Sequence, residues 1–303
     1  MRSDAAAYDL IAPGTLDAVL AAMRDEGRLP FAGGTELMVA LCAGRLETKR
    51  FVSVCGLSEL RFIDDASDAA TLRVGAGTTF TDLRQSSLIA REFPLLAQTA
   101  SWTGSIANQN RGTIGGNIAN ASPAADTPPA LLAYDAALEL VSPHGTRLLQ
   151  YRDFHLGYKR TALQPGELIL AIRLTRRFAA HVQWVRKVGA RNAQAISKVA
   201  LAAVAQVDAG CFQEIALGAA SLIDRPTRLT ATEAVLRGMH LGDAAGLDRA
   251  CAALAMEVAP IDDIRSTARY RAAVAANLLR EFVAQARDVS QSGASTSAGL
   301  QDR

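Results

Sequence analysis

Metal and disulfide chemistry find little to work with in this sequence. Its 303 residues include only four cysteines, Cys42, Cys55, Cys211 and Cys251, and four histidines, His144, His155, His181 and His240. None falls in a C-x-x-C or H-x-x-x-H pair, so no zinc, haem or iron–sulfur site is expected in this chain. A chain of this length needs no disulfide framework, and isolated thiols fit a reduced, cytoplasmic setting. An excess of one charge is also missing: 32 Lys+Arg stand against 30 Asp+Glu, and the 28 arginines form no run. That balance gives no general attraction to phosphate backbones, which excludes nucleic acid as the expected partner. No run reaches the ~20 apolar residues of a membrane span. Asp4 stands where a signal peptide needs an apolar core, so no integral membrane segment and no export are expected.

What is present is a globular composition. Half the residues are hydrophobic, enough to rule out disorder as the dominant state. Single cores stop growing near roughly 250–300 residues, so two domains are expected. Thr15 can cap a helix with apolar positions Leu16, Val19, Leu20 and Met23, closing near Gly27. A short strand, Leu29 to Ala32, then runs through Gly33 and Gly34 into a helical pattern from Glu36 to about Ala43. Short β-like runs follow: 51–54, 60–63, 71–76, 137–141, 147–150 and 168–174. Helical stretches near 81–91 and 94–103 interrupt them, an α+β texture without regular β-α-β alternation. Beyond a junction at 176–180, strands near 182–187, 196–207 and 212–219 precede helices near 230–237, 244–258 and 268–287. The divisions are therefore 1–178, 182–287 and a Ser/Gly/Gln-rich flexible tail at 288–303.

Two segments carry chemistry. One is Pro30-Phe31-Ala32-Gly33-Gly34-Thr35-Glu36-Leu37, a strand-to-helix turn able to point backbone N–H groups at an anion. The other, about eighty residues later, runs from Thr113-Ile114-Gly115-Gly116-Asn117 through Ser122 to Asp126. Its glycines allow close backbone approach and positive φ, and Thr113, Asn117 and Ser122 can donate to phosphate or ribose oxygens. Either alone describes any tight turn. Together they could clamp the two phosphates of a dinucleotide. The Rossmann arrangement is disfavoured, because Gly75-Ala76-Gly77-Thr78-Thr79-Phe80 puts Phe80 in place of the third glycine.

The pair, Ala32-Gly33-Gly34-Thr35-Glu36-Leu37 with Thr113-Ile114-Gly115-Gly116-Asn117-Ile118, Ala121-Ser122-Pro123 and Asp126, resembles the FAD-binding medium subunit of the molybdenum hydroxylases. That group includes the flavin subunits of bacterial xanthine and carbon monoxide dehydrogenases. Gly75–Thr79, Leu131–Ala136, Lys187-x-x-x-Arg191 and Arg269-Tyr270-Arg271 extend the likeness from about Tyr8 to Arg287. The resemblance implies an α+β fold: an FAD-binding domain of the vanillyl-alcohol-oxidase (PCMH) type with two α+β subdomains, then a small C-terminal α+β domain. It implies that Pro30 to Leu37 wrap the FAD pyrophosphate, that Thr113, Gly115, Gly116 and Asn117 grip it from the other side, and that Asp126 meets ribityl or ribose hydroxyls. Thr103 and Gly104 would line the adenine side, Ile169 would pack near flavin or adenine, and Lys187 would arrive from the second domain. Glu36, where many members have Asp, would serve as an early-turn anion on the helix dipole.

No acid–base pair is required, since the flavin carries the redox chemistry; no catalytic residue and no metal ligand is assigned. A cation at Lys187 or Arg191 would either stabilise a reduced anionic flavin or bridge the domains. The stretch Asn192–Ile196 offers neither an aromatic nor an acidic shield for the ring. Trp102 and Trp184 read as core residues. The implied function is electron transfer from 2Fe-2S clusters of a small partner through FAD to NAD+, a quinone or oxygen. A large partner subunit would hold molybdopterin, the whole forming a dimer of heterotrimers. The rival is a self-contained flavoenzyme of the same fold, like UDP-N-acetylenolpyruvoylglucosamine reductase or an alcohol oxidase.

Overall fold

The computed structural model describes residues 5–64, 68–191 and 194–298. The first elements are β1 (Asp9–Ile11), α1 (Leu16–Glu26), β2 (Leu29–Phe31), α2 (Leu37–Cys42) and β3 (Arg50–Ser53). The strands form a parallel sheet in the order β1-β3-β2. The Thr15 hydroxyl accepts from the Ala18 N–H to start α1, and Gly27 in the left-handed region ends it. Between these caps Val19, Ala22 and Met23 face Val52, Val54, Leu57 and Leu60, giving this sheet its own small core.

The second subdomain begins with β4 (Ile63–Asp64), β5 (Thr71–Gly75), α3 (Phe80–Gln85), α4 (Ser87–Glu92), α5 (Pro94–Trp102), α6 (Ile106–Gln109), α7 (Ile114–Ala119) and α8 (Pro128–Ala133). It continues with β6 (Ala137–Ser142), β7 (Gly145–Gln150), the hairpin β8 (His155–Gly157) and β9 (Arg160–Thr161), and β10 (Leu168–Thr175). Its antiparallel sheet runs β4-β5-β10-β6-β7. Alternate strand residues Leu72, Val74, Leu138, Leu140, Ile172 and Leu174 meet Phe80, Leu83, Leu96, Ile114, Leu131 and Tyr134 from the helices, the period-two pattern of a sheet with one covered face.

The C-terminal domain has β11 (Val182–Val188), β12 (Val199–Asp208), β13 (Cys211–Ala220) and β14 (Thr227–Arg228), hydrogen-bonded in that order. Then come α9 (Thr230–Leu236), α10 (Ala244–Glu257) and α11 (Ala268–Ala298). β12 is buried continuously from Val199 to Ala205 because both faces of this sheet are covered. Val185, Ala202 and Val204 join the core of the preceding domain, while Trp184, Leu201, Ala203 and Leu217 pack with Leu279 and Phe282 of α11. The two domains thus share an apolar seam. The Tyr134 hydroxyl ties it by donating to Gln183 Oε1 at 2.6 Å.

Some expectations change. The stretch read as one helix at 81–91 is two, because Ser86 adopts an extended conformation that ends α3 while its hydroxyl caps α4 at Ile89. The strand expected at 60–63 is a 3-10 turn, Ser58–Leu60, followed by the two-residue β4. The stretch from 288, read as a flexible tail, continues α11 to Ala298, and 299–303 lie outside the described residues. It contains no proline, and extending a nucleated helix costs little per residue. Among the described residues no helix is long and apolar enough to cross a membrane, and no cluster of three or more His, Cys, Asp or Glu could hold a metal ion.

Candidate functional site

The first glycine turn links β2 to α2. Gly34 has φ +73°, which L side chains adopt only with strain, and the Phe31 ring is folded directly beneath it, edge-on to Phe51 at 6.2 Å. A Cβ at Gly33 would collide with the Arg111 carbonyl, so only glycine lets this turn touch the segment leading into the second one. α2 then begins at Glu36 without a side-chain cap. Among the described residues no group accepts from the N–H groups of Gly34, Thr35, Glu36 or Leu37. These are the orphan donors of a helix start, at its positive end. Glu36 does not cap; it reaches Lys159, 3.7 Å away on the β8–β9 hairpin.

The second segment is a helix start, not a loop, and its N–H groups are engaged. Thr113 Oγ1 accepts from Gly116 N–H at 3.1 Å, and the N–H groups of Ile114 and Gly115 donate to Thr78 and Ala76 carbonyls at 3.0 and 2.9 Å. Asn117 N–H donates to the Thr113 carbonyl at 3.0 Å. Gly115 and Gly116 are helical within α7, so the positive φ expected of them is absent. Their smallness serves packing: a Cβ on Gly115 would lie 2.5 Å from Ala76 Cβ, and one on Gly116 would lie 3.8 Å from Ala32 Cβ, across from the first turn. Asn117 Oδ1 accepts from the Thr127 hydroxyl at 2.7 Å. This side keeps two further donors, the hydroxyl of the buried Thr113 and the amide nitrogen of the half-buried Asn117.

Asp126, buried just before α8, is held by the second domain. Lys187 Nζ at the end of β11 donates to Asp126 Oδ2 at 2.6 Å, and the Ser197 hydroxyl donates to Oδ1 at 2.7 Å. Both Asp126 and Lys187 side chains are about a tenth exposed. Burial pushes the Asp126 carboxyl up from the usual range, against the pull of Lys187 and Ser197. Of the two roles open to Lys187, the interdomain bridge is present; Arg191 bonds the Gln194 carbonyl, and Asn192 and Ala193 lie outside the described residues.

The remaining expectations divide. Thr103 gives its hydroxyl to the Thr99 carbonyl at 3.1 Å, and Gly104, at φ +65°, packs on Asn108. Both open the excursion that α6 returns to Arg111 and Gly112 through the Asn108 carbonyl. Ile169 is turned into the apolar core at 3% exposure. Strand alternation in β10 accounts for this, since Leu168 and Leu170 face the small core around α1 instead. Trp184 is a core residue against Phe282 and Trp102 packs on the first domain's core. Arg111, Lys159 and Ser197 were not singled out from the sequence. Arg111 stands two residues before Thr113 and is legible there, whereas the partners of Lys159 and Ser197 lie far away in sequence.

The chain is thus a three-part α+β protein in which a glycine turn packs on the segment entering a glycine-containing helix start, and a buried acid is held by the second domain. Residues 6–176 match the family described as "FAD binding domain in molybdopterin dehydrogenase", and residues 184–286 match "CO dehydrogenase flavoprotein C-terminal domain". The xanthine dehydrogenase FAD-binding subunit of Escherichia coli O157:H7 is 30% identical over 84% of this chain and 87% of its own length. The carbon monoxide dehydrogenase medium chain of Afipia carboxidovorans is 31% identical over 89% and 92%. A solved Cu,Mo-CO dehydrogenase, in its cyanide-inactivated form, superposes with TM-score 0.87 at 29% identity, covering 93% of this chain and 98% of the other. The chain belongs to the FAD-binding subunits of the xanthine and carbon monoxide dehydrogenase type of molybdenum hydroxylase.

Proposed function

We propose that the two glycine turns hold the pyrophosphate of FAD between them, and that this flavin relays electrons from 2Fe-2S clusters of a small partner subunit to NAD+ or a quinone. A large partner subunit would carry molybdopterin and oxidise the substrate, the assembly being a dimer of heterotrimers. One observation carries the reading: the uncapped N–H groups from Gly34 to Leu37 lie on a turn pressed against the start of the second motif. Orphan donors at a helix start favour an anion.

Four further residues suit the group. The Thr113 hydroxyl and Asn117 amide add donors opposite the first turn, and the exposed face of Gly116 leaves room between them. Asp126 retains free lone pairs beyond its bonds to Lys187 and Ser197, so it can still accept from a sugar hydroxyl. Bound FAD would supply the exchange between one- and two-electron transfer, and the chain's part is to hold and orient it. The self-contained flavoenzyme is the weaker reading, because the relatives matched nearly end to end are named subunits and medium chains.

The test is the visible spectrum of the purified chain, with a record of the chains that co-purify. A flavin spectrum with molybdopterin and iron–sulfur partners is expected. A colourless protein that also fails to bind added FAD refutes the flavin site; a flavin protein with no such partners refutes the relay.

A further inference from the structure

We propose that Arg111 is the cation that neutralises the dinucleotide's pyrophosphate and makes this site prefer FAD to flavins lacking that group; the inference rests on the flavin reading above. Three cations are tied by contact to the residues of the site. Lys187 is neutralised by Asp126 at 2.6 Å, and Lys159 faces Glu36 at 3.7 Å. Arg111 is paired with no carboxylate among the described residues; its guanidinium makes only a long contact, Nε to the Gly33 carbonyl at 3.5 Å. Its backbone is the one against which Gly33 packs, so the side chain springs from the seam between the two turns and is exposed there.

The charge balance makes the case. Backbone and hydroxyl donors can solvate a doubly negative pyrophosphate, but they carry no net charge, and one cation of the site is matched by a buried acid while another faces Glu36. An unpaired guanidinium beside orphan amides completes the set, and its planar donor fork suits phosphate oxygens. Riboflavin, which has no phosphate, would gain nothing from Arg111.

The experiment titrates the flavin-depleted full-length chain with FAD and with riboflavin, by fluorescence, at low and high salt, for wild type, R111K and R111Q. R111Q should weaken FAD binding about ten- to a hundredfold, as loss of a charge-assisted hydrogen bond does. R111K should recover part of it, riboflavin affinity should not change, and the salt dependence of FAD binding should flatten in R111Q. Equal FAD affinity in wild type and R111Q overturns the role of Arg111 while leaving the flavin site standing. A loss of riboflavin binding equal to that of FAD also overturns it, as general damage. Wild-type chain that binds no FAD overturns the flavin reading and this inference with it. Arg111 is exposed and bears no ion pair among the described residues, so thermal unfolding of all three proteins should coincide.

Discussion

Replacing Gly116 with alanine should move stability and flavin binding in opposite directions. Gly116 lies in the first turn of α7, where alanine gains up to about 0.5–1 kcal/mol over glycine. The new Cβ would sit 3.0 Å from Thr113 Oγ1, a tight contact that removes a few tenths of that gain. Net stabilisation of the flavin-free chain by about 0.5 kcal/mol, or roughly 1–2 °C in Tm, is expected. The same methyl projects toward Ala32 across the slot between the turns, where its Cβ would stand 3.8 Å from Ala32 Cβ. A phosphate oxygen could no longer approach the helix there, and FAD affinity should fall by at least about tenfold, or 1.4 kcal/mol. The assay pairs a melting curve of the flavin-free protein with a fluorescence titration of FAD. FAD binding within twofold of wild type would show that the phosphates do not pass Gly116. Reduced stability together with reduced binding would reassign the loss to folding.

Three other outcomes are expected. Gly33→Ala must push the two turns apart, since its Cβ would overlap the Arg111 carbonyl; flavin retention should be lost, while Gly14→Ala, with nothing within 4 Å, should behave as wild type in the same spectral assay. Lys187→Met strands the buried Asp126 and should cost about 3 kcal/mol in denaturant unfolding, most of it restored by adding Asp126→Asn; an unchanged single variant would mean the pair contributes nothing. Burial foremost, with repulsion from Arg225, lowers the His155 ring to about 4 from 6.5. The unfolded chain therefore binds the extra proton first, and stability should fall by at most about 3 kcal/mol as pH drops from 6.5 toward 4. His155→Phe should flatten that slope in pH-dependent melting, and an equal slope in both proteins would assign it to other groups.

How much of this was legible in the sequence follows from the range of the interactions. Helix α1 could be read off entirely, because its cap at Thr15, its apolar spacing and its stop at Gly27 are all local. The two glycine turns could be found for the same reason. Their conformations could not: glycine is compatible with both a left-handed turn and a helix, and the choice at Gly115 is made by Ala76, from another part of the chain. The face that Ile169 takes is equally hidden, because one residue of register in a strand decides it. The engagement of Asp126 by Lys187 and Ser197 depends on how two domains meet, which no local pattern encodes.

The Asp126 contacts also bear on how such a chain can be recombined. A chimera joining residues 1–178 of this protein to a relative's C-terminal domain would look modular from the domain boundary alone. It would carry a buried carboxylate across the splice, and any incoming strand without a lysine and a hydroxyl at the matching places would leave that charge unanswered in the seam. Exchange of either domain is therefore restricted to donors that bring the counter-ion with them.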